Sequence, residues 1–263
     1  MNQNKDNNHT KTVCPIHGPY ISKKITLPLI GKTISSACPA CTGQYHEQQR
    51  IKQYEEQKQQ AQQLWLNQLK TACIPKRFHD RTLKNYLANL PVQQKALDFA
   101  NNYSESFHQI RQTGRSAIFC GLPGTGKTHL AAAIAHEIIK QGKTVLFTTV
   151  YKAIRSVKST WNPRSTLSEQ EVTDILVFPD LLILDEVGVQ FGSETEKIIL
   201  FDIINTRYEQ RKPILLLSNL NPDGVKYFLG PRVFDRLRED GGKCVYFNWA
   251  SHRRKNNDQP QTV

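Results

Sequence analysis

The run Gly121-Leu122-Pro123-Gly124-Thr125-Gly126-Lys127-Thr128 constrains this chain more than any other stretch. It matches G-x-x-x-x-G-K-[ST] and lies between the apolar SAIFC and the helical pattern HLAAAIAHEIIKQ, the strand, loop and helix context the motif needs. Glycines there let backbone N–H groups converge on a β-phosphate, and the following helix presents the positive end of its dipole. Gly121, Pro123, Gly124, Thr125, Gly126 and His129 are expected to line the phosphates. Lys127 is expected to neutralise β and γ oxygens, and Thr128 to ligate Mg2+. The ligand this predicts is ATP.

A loop of this kind implies a sheet around it. Beyond residue 114 short apolar runs alternate with helical segments: TVLFTTV, YKAIRSVKSTW, DLLILDE, TEKIILFDIINTRYEQ, PILLLSN. That alternation predicts an α/β fold, a parallel sheet flanked by helices. The run LLILDE ends in Asp185 and Glu186, at the carboxyl end of a buried strand where ligands bind. An acid pair after a strand is by itself a common helix cap. Beside a phosphate loop, Asp185 becomes a magnesium ligand and Glu186 the group that orients the attacking water. The strand ILLLSN puts Asn219 where an amide can sense the γ-phosphate. Arg232 and Arg236 share one face of the short helix PRVFDRLR; a guanidinium supplied in trans by a neighbouring subunit is expected at Arg236, with Arg232 second. After this helix come only CVYFNW and the basic SHRRK, leaving no room for a C-terminal helical lid.

Upstream, Cys14-Pro-Ile-His17 and Cys38-Pro-Ala-Cys41 are two x-x spaced pairs, suited to four-coordinate Zn2+ in a small knuckle built of turns, with His46 as an alternative to His17. Four protein ligands leave no open position, so the metal would be structural. Residues 44–70 are Gln-, Glu- and Lys-rich without Pro, with Ile51, Tyr54, Lys58, Ala61 and Trp65 at helical steps. This long amphipathic helix packs on the knuckle or docks on a partner. A second helix is expected from Val92 to Gln112, ended by Gly114. Residues 1–12 and 256–263 are expected to be disordered tails, 13–73 the zinc-binding and helical domain, and 74–255 the ATP-binding domain. The net charge of +12 favours nucleic acid as a partner. The cysteine spacing argues against a disulfide framework, and no apolar run nears the length of a membrane span, so a cytoplasmic location and no membrane are expected.

Together GLPGTGKTH, LLILDEVGVQ, LLLSNL, LGPRVFDRLR and FNWASHRRK resemble the DnaC-type replicative helicase loaders, AAA+ ATPases without the usual lid. The resemblance covers about Ile74 to Lys255, and EVGVQ and FNW are its most specific parts. It implies ATPase activity, weak in isolation, and binding of a DnaB-type hexameric helicase through the N-terminal part for loading onto single-stranded DNA. It also implies Arg236 as a trans-acting arginine and Arg253 as a second nucleotide-sensing arginine. The family's single-strand contacts match Trp161 and Ser193, Trp161 on the helix after the second strand; a family tyrosine is replaced by Thr195, which cannot stack on a base. Packing of Trp161 against the sheet is the alternative. The rival function is an IstB-type transposition helper acting on duplex DNA, whose ATP site would look the same.

Overall fold

The structure is a computed structural model and describes residues 9–26, 33–70, 74–189 and 193–252. The chain divides into two compact units, Met1–Gln60 and Ala61–Val263. No helix among the described residues is long and apolar enough to cross a membrane.

In the first unit, strands β1 (His9–Cys14), β2 (Gly18–Thr26) and β3 (Thr33–Ser35) form an antiparallel sheet in that order. This corrects two expectations, since β1 starts within the segment read as a tail and β2 is a regular strand where turns were expected. Thr10, Thr12 and Val13 are β-branched, and pairing with Ile21, Tyr20 and their neighbours satisfies a backbone that polar composition alone would leave in water. Gly18, at φ 78°, closes the hairpin opposite Cys14. Ser36 ties the next segment down, accepting from Ser22 Oγ through its carbonyl at 2.9 Å and from Lys23 N through its hydroxyl at 2.8 Å. Helix α1 (Pro39–Lys70) then begins between Cys38 and Cys41, earlier than position 44, because Pro39 is tolerated in a first turn. Ile51 and Tyr54 on its apolar edge are exposed. The side chains of Lys58, Ala61 and Trp65 lie outside the described residues.

The second unit opens with α2 (Pro91–Glu105) and α3 (Phe107–Thr113), two helices where one was expected. The break falls at Ser106, whose hydroxyl turns back onto Asn102 O and whose ψ of 15° lets Phe107 follow Tyr103 into the core. Gly114, at φ 79°, caps α3 as expected. There follow β4 (Ala117–Gly121), α4 (Lys127–Lys140), β5 (Val145–Thr149), α5 (Val150–Ser159), α6 (Glu169–Val177), β6 (Leu181–Val187), α7 (Glu194–Glu209), β7 (Ile214–Ser218), α8 (Pro222–Leu229), α9 (Pro231–Arg238) and β8 (Lys243–Phe247). The strands form one parallel sheet in the order β5-β6-β7-β4-β8.

Strand alternation sorts the apolar runs into two cores. Phe119, Ile183, Leu215 and Leu217 face α2 and α4 with Tyr103, Leu130 and Ile134. Ile118, Leu182, Leu184 and Leu216 face α5, α6, α7 and α9 with Ile154, Leu176, Ile203 and Phe234. A continuous apolar strand is what a sheet covered on both faces requires. No helix follows β8 among the described residues.

Candidate nucleotide and metal sites

At the carboxyl ends of β4, β6 and β7 the second unit opens a cleft of about 600 Å³, lined by Gly124, Gly126, Lys127, Thr128, Asp185, Glu186 and Asn219 among others. The phosphate loop is shaped by its glycines and by what presses on them. Gly121, at φ 122°, lies so close to β8 that a Cβ would meet Phe247 O at 2.3 Å, and a Cβ on Gly126, at φ 98°, would meet the Tyr86 ring at 2.7 Å. Around the loop Leu122 N donates to Phe247 O at 2.9 Å, Trp249 Nε1 to Thr125 O at 3.0 Å, Tyr86 O–H to the same carbonyl at 3.3 Å, and His252 N to Gly124 O at 3.0 Å. The FNWASH segment is therefore a clamp on the phosphate loop. Sequence reasoning registered FNW as a resemblance and missed this role. Tyr86 and His252 were missed altogether: their contacts span 39 and roughly 130 residues, and the only local signal was a lone aromatic or histidine.

Lys127 Nζ sits 2.8 Å from Gly121 O and 2.6 Å from Leu122 O, its ammonium held at the mouth of the loop. Thr128 Oγ1 donates to Asp185 Oδ2 at 3.2 Å. Two cis oxygens on one octahedral magnesium would be about 2.9 Å apart, so these donors fit the ion. Burial pushes the Asp185 pKa above the ordinary carboxylate value, opposed by the N–H of Glu186 and the Thr128 hydroxyl. A divalent cation would offset that cost. The pairing of β6 with β7 shifts between Leu184 and Val187, a bulge at Asp185 and Glu186 on the β7 side, while Asp185 stays in register with Thr149 of β5. Glu186 adopts φ 63°, a conformation rare outside glycine, and its carboxylate is exposed to the cleft. Beyond β7, Ser218 Oγ donates to Val187 O at 2.6 Å, fixing the two strand ends so that Asn219 projects into the same cleft. His129 lines the cleft, but its Nε2 bonds Thr82 O at 3.0 Å, which gives it a structural partner.

The arginines lie elsewhere. Arg236 is half-buried on α9, donates to Asn205 of α7 and stands 4.9 Å over the Tyr208 ring, whose hydroxyl bonds Glu239. Arg232 is exposed, and neither arginine lines the cleft of its own chain. Arg253 lies outside the described residues. Trp161 is not on the helix after β5: it sits in the turn past α5, half exposed, with Nε1 donating to Glu169 at 2.8 Å. Thr160, bonding back to Val157, ends the helix before it. Ser193 is the N-cap of α7, with its Oγ buried and no partner for it among the described residues.

In the first unit the hairpin turn and the start of α1 bring Cys14, His17, Cys38 and Cys41 together, their ligand atoms within 4.8 Å of one another. Cys14 Sγ is 3.6 Å from Cys41 Sγ, and His17 Nδ1 is 3.8, 3.9 and 3.3 Å from the sulfurs of Cys14, Cys38 and Cys41. A zinc tetrahedron has edges of about 3.8 Å between sulfurs and about 3.5 Å from sulfur to nitrogen, so the residues fit that ion. Backbone N–H groups of Ile16 and His17 lower the Cys14 pKa to about 6, while Cys14 beside it pushes Cys41 up to about 11. Thiols packed this closely need a cation before all can ionise. His46, on α1, is outside the cluster.

With the geometry described, comparisons place the chain among known proteins. The family described as IstB-like ATP binding protein matches residues 45–255. The chain is 40% identical over 172 residues to a protein of Escherichia coli K12 named Replicative helicase loader DnaC, covering 65% of this chain and 69% of that one. It is 37% identical over 174 residues to the protein of the same name from Buchnera aphidicola subsp. Baizongia pistaciae, covering 66% and 70%. A crystal structure of the DnaC helicase loader superposes with a TM-score of 0.59 at 22% identity, over 66% of this chain and 99% of that one, a likeness of fold.

Proposed function

This chain belongs to the IstB-like ATP-binding protein family, and from that premise we propose that it is an ATP-dependent loader of the hexameric replicative DNA helicase onto single-stranded DNA. The observation that carries the reading is identity of 37–40%, over about two thirds of the chain, to proteins named as replicative helicase loaders. The family's P-loop makes the chain an ATP-binding protein; hydrolysis is our further step.

In this reading the loop amides and Lys127 bind the β- and γ-phosphates, and Thr128 with Asp185 would hold magnesium, which screens phosphate charge when bound. Glu186, exposed at the cleft beside the bulge, accepts a proton from the attacking water and orients it. Asn219 contacts the γ-phosphate and couples its loss to β7. We assign the guanidinium that completes the charge around a leaving phosphate to Arg236 of a neighbouring copy, as the family resemblance implies. Asn205 and Tyr208 hold that side chain extended from α9.

We assign the helicase contact to the zinc-bearing region, residues 13–73, with ATP binding in 74–255 and a cytoplasmic location. Zn2+ on Cys14, His17, Cys38 and Cys41 would shape that region and take no part in hydrolysis. Trp161 and Ser193 remain the single-strand contacts we propose from family resemblance.

The test is co-elution of the purified protein with replicative helicase on a sizing column, with ATP and with ADP. A complex lost when residues 1–73 are removed supports the loader. Absence of any complex, with duplex DNA alone driving ATP-dependent assembly, would replace it by a transposition helper, the reading that the IstB-like description favours.

A further inference from the structure

Cys120 and Cys244 carry free thiols that the scheme above leaves unused. Cys120 directly precedes Gly121, the first glycine of the phosphate loop, and Cys244 is the second residue of β8. The parallel register sets Cys120 beside Tyr246 and Ile118 beside Cys244, so the two cysteines are two positions out of step and share one face of the sheet. That face packs against Phe234 and Leu237 of α9. Across the offset the Sγ atoms come within 3.4 Å of each other, closer than the 3.6 Å between Cys14 and Cys41 in the Cys/His cluster. One cysteine alone is an ordinary small core residue, whereas two in contact on neighbouring strands are a dithiol.

The two thiols differ in the way a reactive pair requires. Cys120 is 0% exposed, and its contact with Cys244 together with burial holds its pKa above the ordinary thiol value. Cys244 lies on the edge strand of the sheet and is partly open to solvent. Its hydrogen bond with Cys120 lowers its pKa, burial works against that, and the Arg238 guanidinium adds to the lowering. Cys244 is therefore the accessible nucleophile and Cys120 the protonated thiol behind it, the arrangement of an attacking and a resolving cysteine.

We propose that Cys120 and Cys244 are a modification site, a dithiol that a hydroperoxide oxidises to a disulfide, and that the disulfide weakens ATP binding. The inference goes beyond the loader reading and needs only the ATP-binding assignment. In the first step the Cys244 thiolate takes an oxygen from the hydroperoxide, the O–O bond breaks, and the sulfur becomes a sulfenic acid as water or an alcohol leaves. Cys120 Sγ then attacks the Cys244 sulfur, its proton goes to the departing hydroxyl, and water leaves as the disulfide forms. Two thiols give up two electrons and the hydroperoxide takes both. The bond would draw the sulfurs about 1.3 Å closer, and because the cysteines are out of step, part of that approach runs along the strands. β4 is held by β7 on its other side, while β8 pairs with β4 alone among the described residues, so β8 is the strand that yields. β8 leads into the clamp: Phe247 O accepts from Leu122 N at 2.9 Å and leaves no room for a Cβ on Gly121, and Trp249 Nε1 holds Thr125 O. Oxidation three residues before Phe247 thus moves the contacts that shape the phosphate loop.

The test uses the full chain, with hydrogen peroxide as the oxidant and a fluorescent ATP analogue as the nucleotide probe. Alkylation of the remaining thiols, digestion and mass spectrometry should find a peptide pair joined through Cys120 and Cys244. Analogue affinity should fall about tenfold, the equivalent of one or two lost loop hydrogen bonds, and recover on adding dithiothreitol. Cys244→Ser should bind the analogue as the unoxidised parent does, before and after peroxide. Cys120→Ala gives the same comparison from the buried side, with thermal melting showing that each variant is folded. Zinc released to a colorimetric chelator is read in every sample, because Cys14, Cys38 and Cys41 can oxidise too; Cys244→Ser keeps that cluster and so separates the two effects. The inference is overturned if peroxide oxidises other thiols without joining Cys120 to Cys244, if the link forms and affinity does not fall, or if Cys244→Ser loses affinity as the parent does. Helicase co-elution is scored without peroxide, so either reading can fail while the other stands.

Discussion

The two units solve the same problem with different resources. In the first, the buried residues among those described are Cys14, Ser22 and Cys38, two of them members of the Cys/His cluster. Val13, Ile16, Ile21 and Ile34 lie largely in solvent. The second unit divides its apolar residues between two continuous cores on either face of a five-stranded sheet. A segment of the first unit's size buries too little surface to offset its chain entropy. We propose that a metal on its Cys/His cluster supplies the missing stability through a few strong bonds at one point, whereas the second unit spreads stability over many weak contacts.

Removing that point is the largest perturbation available. Structural zinc contributes apparent binding free energies of about 10–16 kcal/mol, so chelation or Cys38→Ser should abolish the fold of residues 9–50 outright. Zinc release measured by a colorimetric chelator and backbone NMR would show it, while the melting of the ATP-binding unit stays in place. Loss of dispersion in both units together would mean that their stabilities are not separable.

In the second unit the guanidinium of Arg207 is a polar point of comparable burial, and losing it should cost less. Arg207 is 0% exposed and donates to Leu176 O, Val177 O, Pro179 O and Pro213 O at 2.8–3.1 Å, gathering the end of α6 and the start of β7. Burial lowers its pKa to about 9, still charged near neutrality. Arg207→Met takes this donor from all four carbonyls, of which Val177 O keeps Lys212 Nζ at 3.0 Å and Pro213 O keeps Leu182 N at 3.4 Å, and a loss of about 3–5 kcal/mol is expected in denaturant unfolding. The two cores should keep the variant folded at low temperature, which the first unit without its ligands cannot manage.

Chemistry, unlike stability, should respond to a change that neither scaffold notices. Glu186→Gln keeps shape and hydrogen bonding at an exposed position but removes the base. Hydrolysis should fall about a hundredfold or more while ATP-analogue affinity and zinc content stay at parental values. Unchanged turnover in this variant would make the protein a nucleotide switch instead of an ATPase.

What could be read in advance follows the same division between local and distant. The phosphate loop, Asp185, Glu186 and Asn219 are legible because each sits at the end of an apolar run, and the parallel sheet then brings the ends together. The Cys14, His17, Cys38 and Cys41 set is legible because its spacing is chemical. The β1–β2 hairpin is obscured because β1 is exposed along most of its length and the inward positions of β2 include Tyr20 and Ser22 while Ile21 faces out, so the hydropathy lacks the alternation that marks a half-buried strand. The break at Ser106 is hidden because no Gly or Pro marks it between Ala100 and Thr113. The bracket of Asn205, Tyr208 and Glu239 around Arg236, and the clamp of Tyr86, Trp249 and His252 on the phosphate loop, join segments far apart in the chain. No local pattern carries such pairings.

Acid provides the finest test of the contrast. His129 is half-buried, and burial lowers its pKa below 6.5; Thr82 O opposes the shift, Arg81 and His252 add to it, and Asp80 works against it. With a folded pKa below the unfolded one, the unfolded chain takes up its proton first as pH falls. Stability of the ATP-binding unit is then complete above about pH 6.5 and declines from there to the lower folded value, by under about 1 kcal/mol for a side chain half in water. His129→Gln, which keeps a donor for Thr82 O, should flatten that slope in thermal melts between pH 7.5 and 5.5. In the first unit acid competes with the metal for several ligands at once, so zinc loss over the same range should be the steeper transition. A shallow zinc loss and a steep His129-dependent melt would reverse the assignment of strong, localised bonding to the first unit.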